Sequence, residues 1–268
     1  MAKILKPIDR ERASRGRFEK SLADRVELFF EKNKSDIISP LLSAYKPEKA
    51  MKALTPDQTA EIEQLLLKLD LSAFKDLPKE VQEIYEGLAK DGMLLTVRQM
   101  EDVLSEEAFA VMLGLVNDKA VEMALTQSAN LVGMKWVDGK LVVNPKSEWA
   151  ISESTRDAIR GDVSRAIQEG QTTSELRKAL MESTGFSRER ADMIARTEVA
   201  DMDIKSQQET WKDSELVKEK AWMISEAPCD DCLANYNQGR IAFDEDFENG
   251  DPPVHPNCTC DIAAILED

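Results

Sequence analysis

Cys229-Asp230-Asp231-Cys232 and His255-Pro256-Asn257-Cys258-Thr259-Cys260 hold every cysteine and the single histidine of a 268-residue chain. Nothing upstream offers a thiol or an imidazole, so these five side chains act together. A Cys-x-x-Cys turn aims two sulfurs at one point, and His255 with Cys258 can supply a second pair by the same spacing. Zinc takes four sulfur and nitrogen ligands tetrahedrally in a structural site, and thiolates are soft ligands that suit it. The expected ligands are therefore Cys229, Cys232, His255 and Cys258, with Cys260 as the alternative, because residues two apart in a strand face the same side. Disulfides are the competing reading, and they need an oxidising compartment. Catalysis at the metal is a weaker one. Pro228-Cys229-x-x-Cys232 matches half of the zinc deaminase pattern, but no His-x-Glu precedes it. Glu226 or Asp231 would be the base if a coordination place stayed open for water.

Outward from this cluster, composition narrows the class. The chain is 42% hydrophobic and 32% charged, enough apolar mass for real cores and too mixed in sign for general disorder. The longest apolar run, 108–116, is far short of the roughly 18 residues that span a bilayer, so no membrane span is expected. The first residues have no apolar core behind their lysines, so no secretory leader is expected either. The net charge is −16, distributed as +4 over 1–35 and −12 over 201–268. An acidic chain gains little from counterion release on DNA. The basic residues between 3 and 25, including Arg10, Arg12, Arg15, Arg17, Lys20 and Arg25, remain a candidate contact for DNA phosphate or for an acidic partner.

The periodicity predicts helices through most of the chain. Phe18, Leu22, Val26, Phe29 and Phe30 form one stripe, and Thr55-Pro56 opens a second helix through Ile62, Leu65, Leu66 and Leu69. A third is expected from Pro78 to about Ala89, stopped at Asp91-Gly92. Thr96 is expected to cap a longer one whose face is Met100, Val103, Leu104, Val111, Leu115, Val121 and Leu125. Phe109, Met112 and Leu113 point to burial of that helix on more than one side. Lys135 to Val143 reads as a hairpin around Asp138-Gly139, and the border between modules is expected after it, giving 1–145 and 146–268. Helices resume from Ser147 to Gly170, from a Thr172/Glu175 capping box to Gly185, and from Ser187 to about Trp211. Short strands over 217–224 and 258–265 follow. The fold class is α+β: a mainly helical N-terminal region, then a helical module with a small sheet stapled by the metal.

Arg190-Ala191, Ile194-Ala195-Arg196-Thr197-Glu198, Trp211, Lys220-x-Trp222, Cys229-x-x-Cys232, Gly239, Pro252-Pro253 and His255-Pro256-Asn257-Cys258-x-Cys260, in this order, resemble the Mu F-like phage head morphogenesis family over about residues 150–266. Thr259 stands where that family has Arg, and Glu226 lies near where it has Asp. The resemblance implies a minor head protein of a tailed phage or prophage. Its role would be structural in procapsid assembly near the portal, extending to DNA packaging or delivery. Partners implied are the portal protein and the major capsid or scaffolding protein, with the virion, or the host cytoplasm during assembly, as the location. An oligomer fits the same picture. A metal-dependent hydrolase or transferase and a nucleic-acid-binding zinc module are the alternatives. Arg196, Thr197, Glu198 and Trp222 are read as structural. Arg196 is expected to pair with a neighbouring carboxylate, and Arg196 and Glu198 to face opposite sides of their helix. Trp211 and Trp222 are expected to cover the metal site.

Overall fold

The computed structural model describes residues 3–9, 13–47, 49, 54–147 and 150–266. In chain order the elements are β1 (Ile4–Leu5), α1 (Ala13–Ala44), α2 (Pro56–Leu66), α3 (Leu77–Gln99), α4 (Glu106–Asn130), β2 (Met134–Val137), β3 (Lys140–Val143), α5 (Ile151–Glu169), α6 (Thr173–Met181), α7 (Arg188–Ser214), β4 (Val217–Met223), α8 (Asp230–Asn237), β5 (Arg240–Ala242) and β6 (Asp261–Leu266). Short 3₁₀ turns lie at Ser72–Lys75 and Thr184–Phe186. The class is α+β, as the periodicity implies.

Several local signals act as read. Thr55 caps α2 in a reciprocal capping box with Gln58, and Thr172 does the same for α6 with Glu175. Asp138 and Gly139 both take positive φ, 49° and 72°, which a two-residue hairpin turn demands. Gly170 ends α5 in the left-handed conformation at φ 64°.

Several helix boundaries differ from expectation: α5 starts at Ile151 behind Ala150 and not at Ser147, α6 ends at Met181 with Gly185 in the following 3₁₀ turn, and the α3–α4 border is shifted. Asp91-Gly92 does not stop a helix, and α3 runs through it to Gln99. A Cβ at Gly92 would collide with the Ser206 side chain of α7, so this glycine permits close packing instead of breaking the helix. Thr96 is therefore interior and fully buried, and its hydroxyl donates to the Gly92 carbonyl at 2.9 Å. The following helix starts after Ser105, whose Oγ accepts the Ala108 N–H at 3.2 Å, with Glu106 and Glu107 in the first turn where the helix dipole favours them. The buried face of α4 is Met112, Val116, Ala120 and Ala124, while Val111, Leu115 and Val121 are exposed.

The chain divides into two compact units, each assembled from separate stretches. One comprises Met1–Ser21, Gln82–Gln127 and Met193–Asp268, the other Leu22–Val81 and Ser128–Asp192. The 145/146 border falls inside the second unit. What reads as linker there is bonded locally: the Asn144 N–H donates to the Gly133 carbonyl at 2.9 Å, and the Ser147 hydroxyl to the Asn130 carbonyl at 2.8 Å.

In the second unit, Phe29 packs on Phe74 with ring centres 4.9 Å apart, and Phe30 meets Phe186 edge-on at 5.7 Å. Arg190 is buried beside Phe30, 5.2 Å from its ring centre. It donates to Thr155 Oγ1 at 2.9 Å, Ser154 Oγ at 2.8 Å, the Ile151 carbonyl at 3.2 Å and the Gly185 carbonyl. Burial lowers its pKa to about 10.

In the first unit, a four-stranded antiparallel sheet has the order β1-β6-β4-β5. β6 is buried at every residue. β4 spends two residues, Val217 to Glu219, where β6 spends one, Leu266 to Ile265. This bulge flips the alternation, so Val217, Lys220 and Trp222 are all buried. β1 comes from the N-terminal stretch, pairing Ile4 with Ile265 and Leu5 with Ala264. Two residues carry no periodicity, so nothing in the sequence marks this strand. Leu5, Met100, Ile204, Trp211, Val217, Trp222, Phe247 and Ile262 share one core with Cys232, Cys258 and Cys260.

Trp211 has no exposed surface. Trp211→Ala should therefore cost roughly 3–5 kcal/mol, as large aromatic truncations in cores do, read as a lower urea midpoint with an unchanged slope. A loss under about 1 kcal/mol would contradict this core.

Candidate metal centre

Cys229 is the N-cap of α8: its backbone is extended, and its sulfur accepts the Cys232 N–H at 3.4 Å. The helix start turns Cys232 inward, leaving it 1% exposed while Cys229 stays toward solvent. Asp230 and Asp231 occupy the first turn, where carboxylates complement the dipole.

The second stretch is a tight turn. The Cys258 N–H donates to the His255 carbonyl at 3.0 Å, Pro256 holds the second position, and Asn257 takes φ 59° at the third. Proline followed by a residue tolerant of positive φ is what such a turn requires. The His255 ring nitrogen Nδ1 lies 2.9 Å from the Pro256 carbonyl, which fixes the ring and leaves Nε2 facing Cys232 Sγ at 3.5 Å. Cys232 Sγ is also 3.7 Å from Cys258 Sγ.

All five candidate ligands converge, as two overlapping triads that share Cys232. Cys229, Cys232 and His255 form one, and Cys232, Cys258 and Cys260 the other, with ligand atoms in each within 4.8 Å of one another. Either triad, or a mixture of the two, could hold a metal ion. Cys260 Sγ also donates to Ser225 Oγ at 3.7 Å. Burial pushes the Cys232 thiol far above its ordinary value, reinforced by hydrogen bonds with Cys229 and Cys260 and by the Cys258 charge. Burial likewise raises Cys258. Burial acts upward on Cys260 too, but hydrogen bonds with Ser225 and Cys232 outweigh it and leave this thiol the more acidic.

The helix motif holds the turn in place. Arg196 Nε donates to Asn257 Oδ1 at 3.1 Å, and Thr197 Oγ1 accepts the Asn257 backbone N–H at 2.9 Å. Among the described residues Arg196 thus engages an amide and no carboxylate, because the turn presents Asn257 directly to this face of α7. Glu198 points the other way, accepting from Tyr85 at 2.7 Å and from Gln127 at 3.1 Å. Trp222 packs edge-on to Phe247 at 5.2 Å within the core that includes the three buried cysteines.

Further anchors carry little signal in the sequence. Lys220, 2% exposed, donates to Asp251 at 2.6 Å, and Gln208 donates to the same carboxylate. Asn235, fully buried on α8, donates to the Gly250 carbonyl at 3.0 Å and accepts the Asn249 N–H at 3.0 Å. The loop leading to the second ligand stretch is thereby tied to the helix that carries the first. The only sequence signal for these contacts is polar residues at otherwise inward positions. Of the N-terminal basic residues, Arg15 is buried in ion pairs with Glu19 and Asp203, each at 2.9 Å. Arg10 and Arg12 lie outside the described residues.

Burial, and then the nearby Asp201, raise the Glu198 carboxyl above its ordinary range. Such a group keeps its full contribution in acid and loses it as pH climbs from the ordinary carboxylate range through the raised value. Glu198→Gln keeps an acceptor for Tyr85 and removes the charge. Its melting temperature should match the parent at pH 4 and exceed it at pH 8. An advantage confined to acid would show that the carboxylate is stabilised by its surroundings.

No helix among the described residues is long and apolar enough to cross a membrane. Neither a curated protein nor a solved structure matches the chain. Residues 157–263 match the family described as Phage Mu protein F like protein. That stretch runs from within α5 into β6 and takes in both ligand segments and the Arg196-Thr197-Glu198 motif. The match covers 107 of the 268 residues and makes this stretch similar to the Mu F-like family of phage head morphogenesis proteins.

Proposed function

We propose that this chain is a minor head protein of a tailed phage that acts structurally in procapsid assembly near the portal, in a role extending to DNA packaging or delivery. The observation that carries the structural reading is how the polar residues of the family motif are used. Arg196 and Thr197 are engaged by Asn257, and Glu198 by Tyr85 and Gln127. Thr197 is buried, Glu198 half-buried and Arg196 exposed, yet each is engaged by another residue of the chain, which suits a rigid body presenting a surface better than a site of turnover. Portal, scaffolding and major capsid proteins are the partners of this reading.

The same proposal gives the module a structural zinc. With Zn–S near 2.3 Å and Zn–N near 2.0–2.1 Å, the edges of a tetrahedral site are about 3.8 Å between sulfurs and about 3.5 Å between sulfur and nitrogen. The observed separations of 3.7 and 3.5 Å around Cys232 fit these edges. A ring nitrogen facing the ligands, with the other against a carbonyl, is the arrangement of a zinc-bound histidine. Cys229, Cys232, His255 and Cys258 would hold the ion, with Cys260 as the substitute. The metal would supply folding free energy by cross-linking two loop-rich segments.

Two measurements test the proposal. Purified full-length chain should carry about one zinc, the capacity of one four-ligand site. Cys258→Ala should lose it and Cys260→Ala retain it, and the reverse pattern would move Cys260 into the ligand set. Coexpressed with the portal protein of its own phage, the chain should co-purify without nucleotide. Failure to associate with portal, scaffolding or capsid protein would overturn the assembly role.

A further inference from the structure

Helix α4 carries apolar side chains around its whole circumference. A helix with that pattern is ordinarily covered on every side. Its inner face is: Met112 and Val116 pack with Met93 and Val97 of α3, and Ala120 and Ala124 are fully buried. One flank is pinned by Lys119, which binds Glu209 at 2.6 Å and Asp213 at 2.7 Å on α7. The outer face is open, with Val111 57%, Leu115 41% and Val121 38% exposed. Gly114 lies among them with nothing within 4 Å of where a Cβ would stand. At 100° per residue these four positions fall within an arc of about 120°.

The charge on that arc is of one sign. Glu107, Asp118 and Glu122 are exposed, lie among the apolar positions, and form no ion pair among the described residues. Lys119, the only basic residue of α4, is already engaged on the flank.

We propose that the outer face of α4 is a docking surface for an amphipathic helix of a partner protein whose apolar stripe is bordered by lysine or arginine. Val111, Leu115 and Val121 supply the apolar contact, Gly114 allows close approach of the partner backbone, and the three carboxylates select positive charge. A second copy of this chain pairing through the same face would set carboxylate against carboxylate, which costs free energy, so the occupant is a different protein. This surface involves neither the metal centre nor the family motif, and the inference does not depend on the assembly role.

The test uses the full-length chain and two synthetic peptides of about 20 residues, long enough for several helical turns. Both share one leucine stripe, bordered by lysine in one and by glutamate in the other. The lysine peptide should bind, more weakly as salt rises, and the glutamate peptide should not. Val111→Gln with Leu115→Gln should weaken binding more than about tenfold, the scale for removing central apolar contacts. Asp118→Asn with Glu122→Gln should weaken it several-fold and flatten the salt dependence, whereas Asp244→Asn with Glu245→Gln, on a different segment, should change nothing. All these positions are exposed, and unchanged melting temperatures would confirm that folding is intact. Equal binding by the Val111/Leu115 variant, or binding lost equally with Asp244 and Glu245, would overturn the proposal in favour of general charge attraction. Absence of binding would overturn it outright. So would a dimer in sedimentation that Leu115→Gln dissolves, since a second copy would then be the occupant.

Discussion

The two cysteine-bearing stretches must be brought to one sulfur. Cys232 stands 3.5 Å from a histidine nitrogen 23 residues away and 3.7 Å from a thiol 26 residues away. Closing such a loop costs chain entropy, and the chain offsets it with contacts made before any ion is considered. Asn257 is gripped by Arg196 and Thr197, Asp251 by Lys220 and Gln208, and the 249–250 backbone by Asn235. The candidate ligands are thus held between α7, β4 and α8 by contacts that need no ion. A metal bound there would tighten an arrangement already close to its final shape, which limits the reorganisation that binding must drive.

The family motif has a physical meaning in this frame. Ala195 is fully buried, and Arg196 and Thr197 face the ligand turn, while Glu198 reaches Tyr85 and Gln127. The N-terminal stretches are therefore part of the same unit as the ligand segments. They supply an edge strand in Ile4 and Leu5, an ion-pair partner in Arg15, and the polar neighbours of Glu198. The family match begins at residue 157, yet the folded unit around the cysteine–histidine cluster draws on residues long before it.

Local chemistry was readable wherever one residue type meets one backbone requirement. Thr55, Thr172 and Ser187 begin helices because their hydroxyls satisfy free N–H groups, and Asp138-Gly139 turns a hairpin because both can take positive φ. The same logic misled at Gly92, where the requirement was space for Ser206 and not a helix end. It misled again on α4, where apolar residues occupy both faces and periodicity cannot say which side is covered. β1 is too short to carry any pattern.

The amino-acid sequence by itself determined that four cysteines and the single histidine lie in two short stretches, that the chain is α+β, and that α2, α6 and α7 begin at Thr55, Thr172 and Ser187. Those properties follow from side-chain chemistry acting over four or five residues. Only the tertiary structure decided that Cys232 is shared by both triads, that Arg196 meets Asn257, that the N-terminal stretch adds a strand to the sheet, and which face of α4 remains open. Each of those outcomes depends on which surface another element presents from far along the chain, and packing, unlike capping, leaves no mark within a short window.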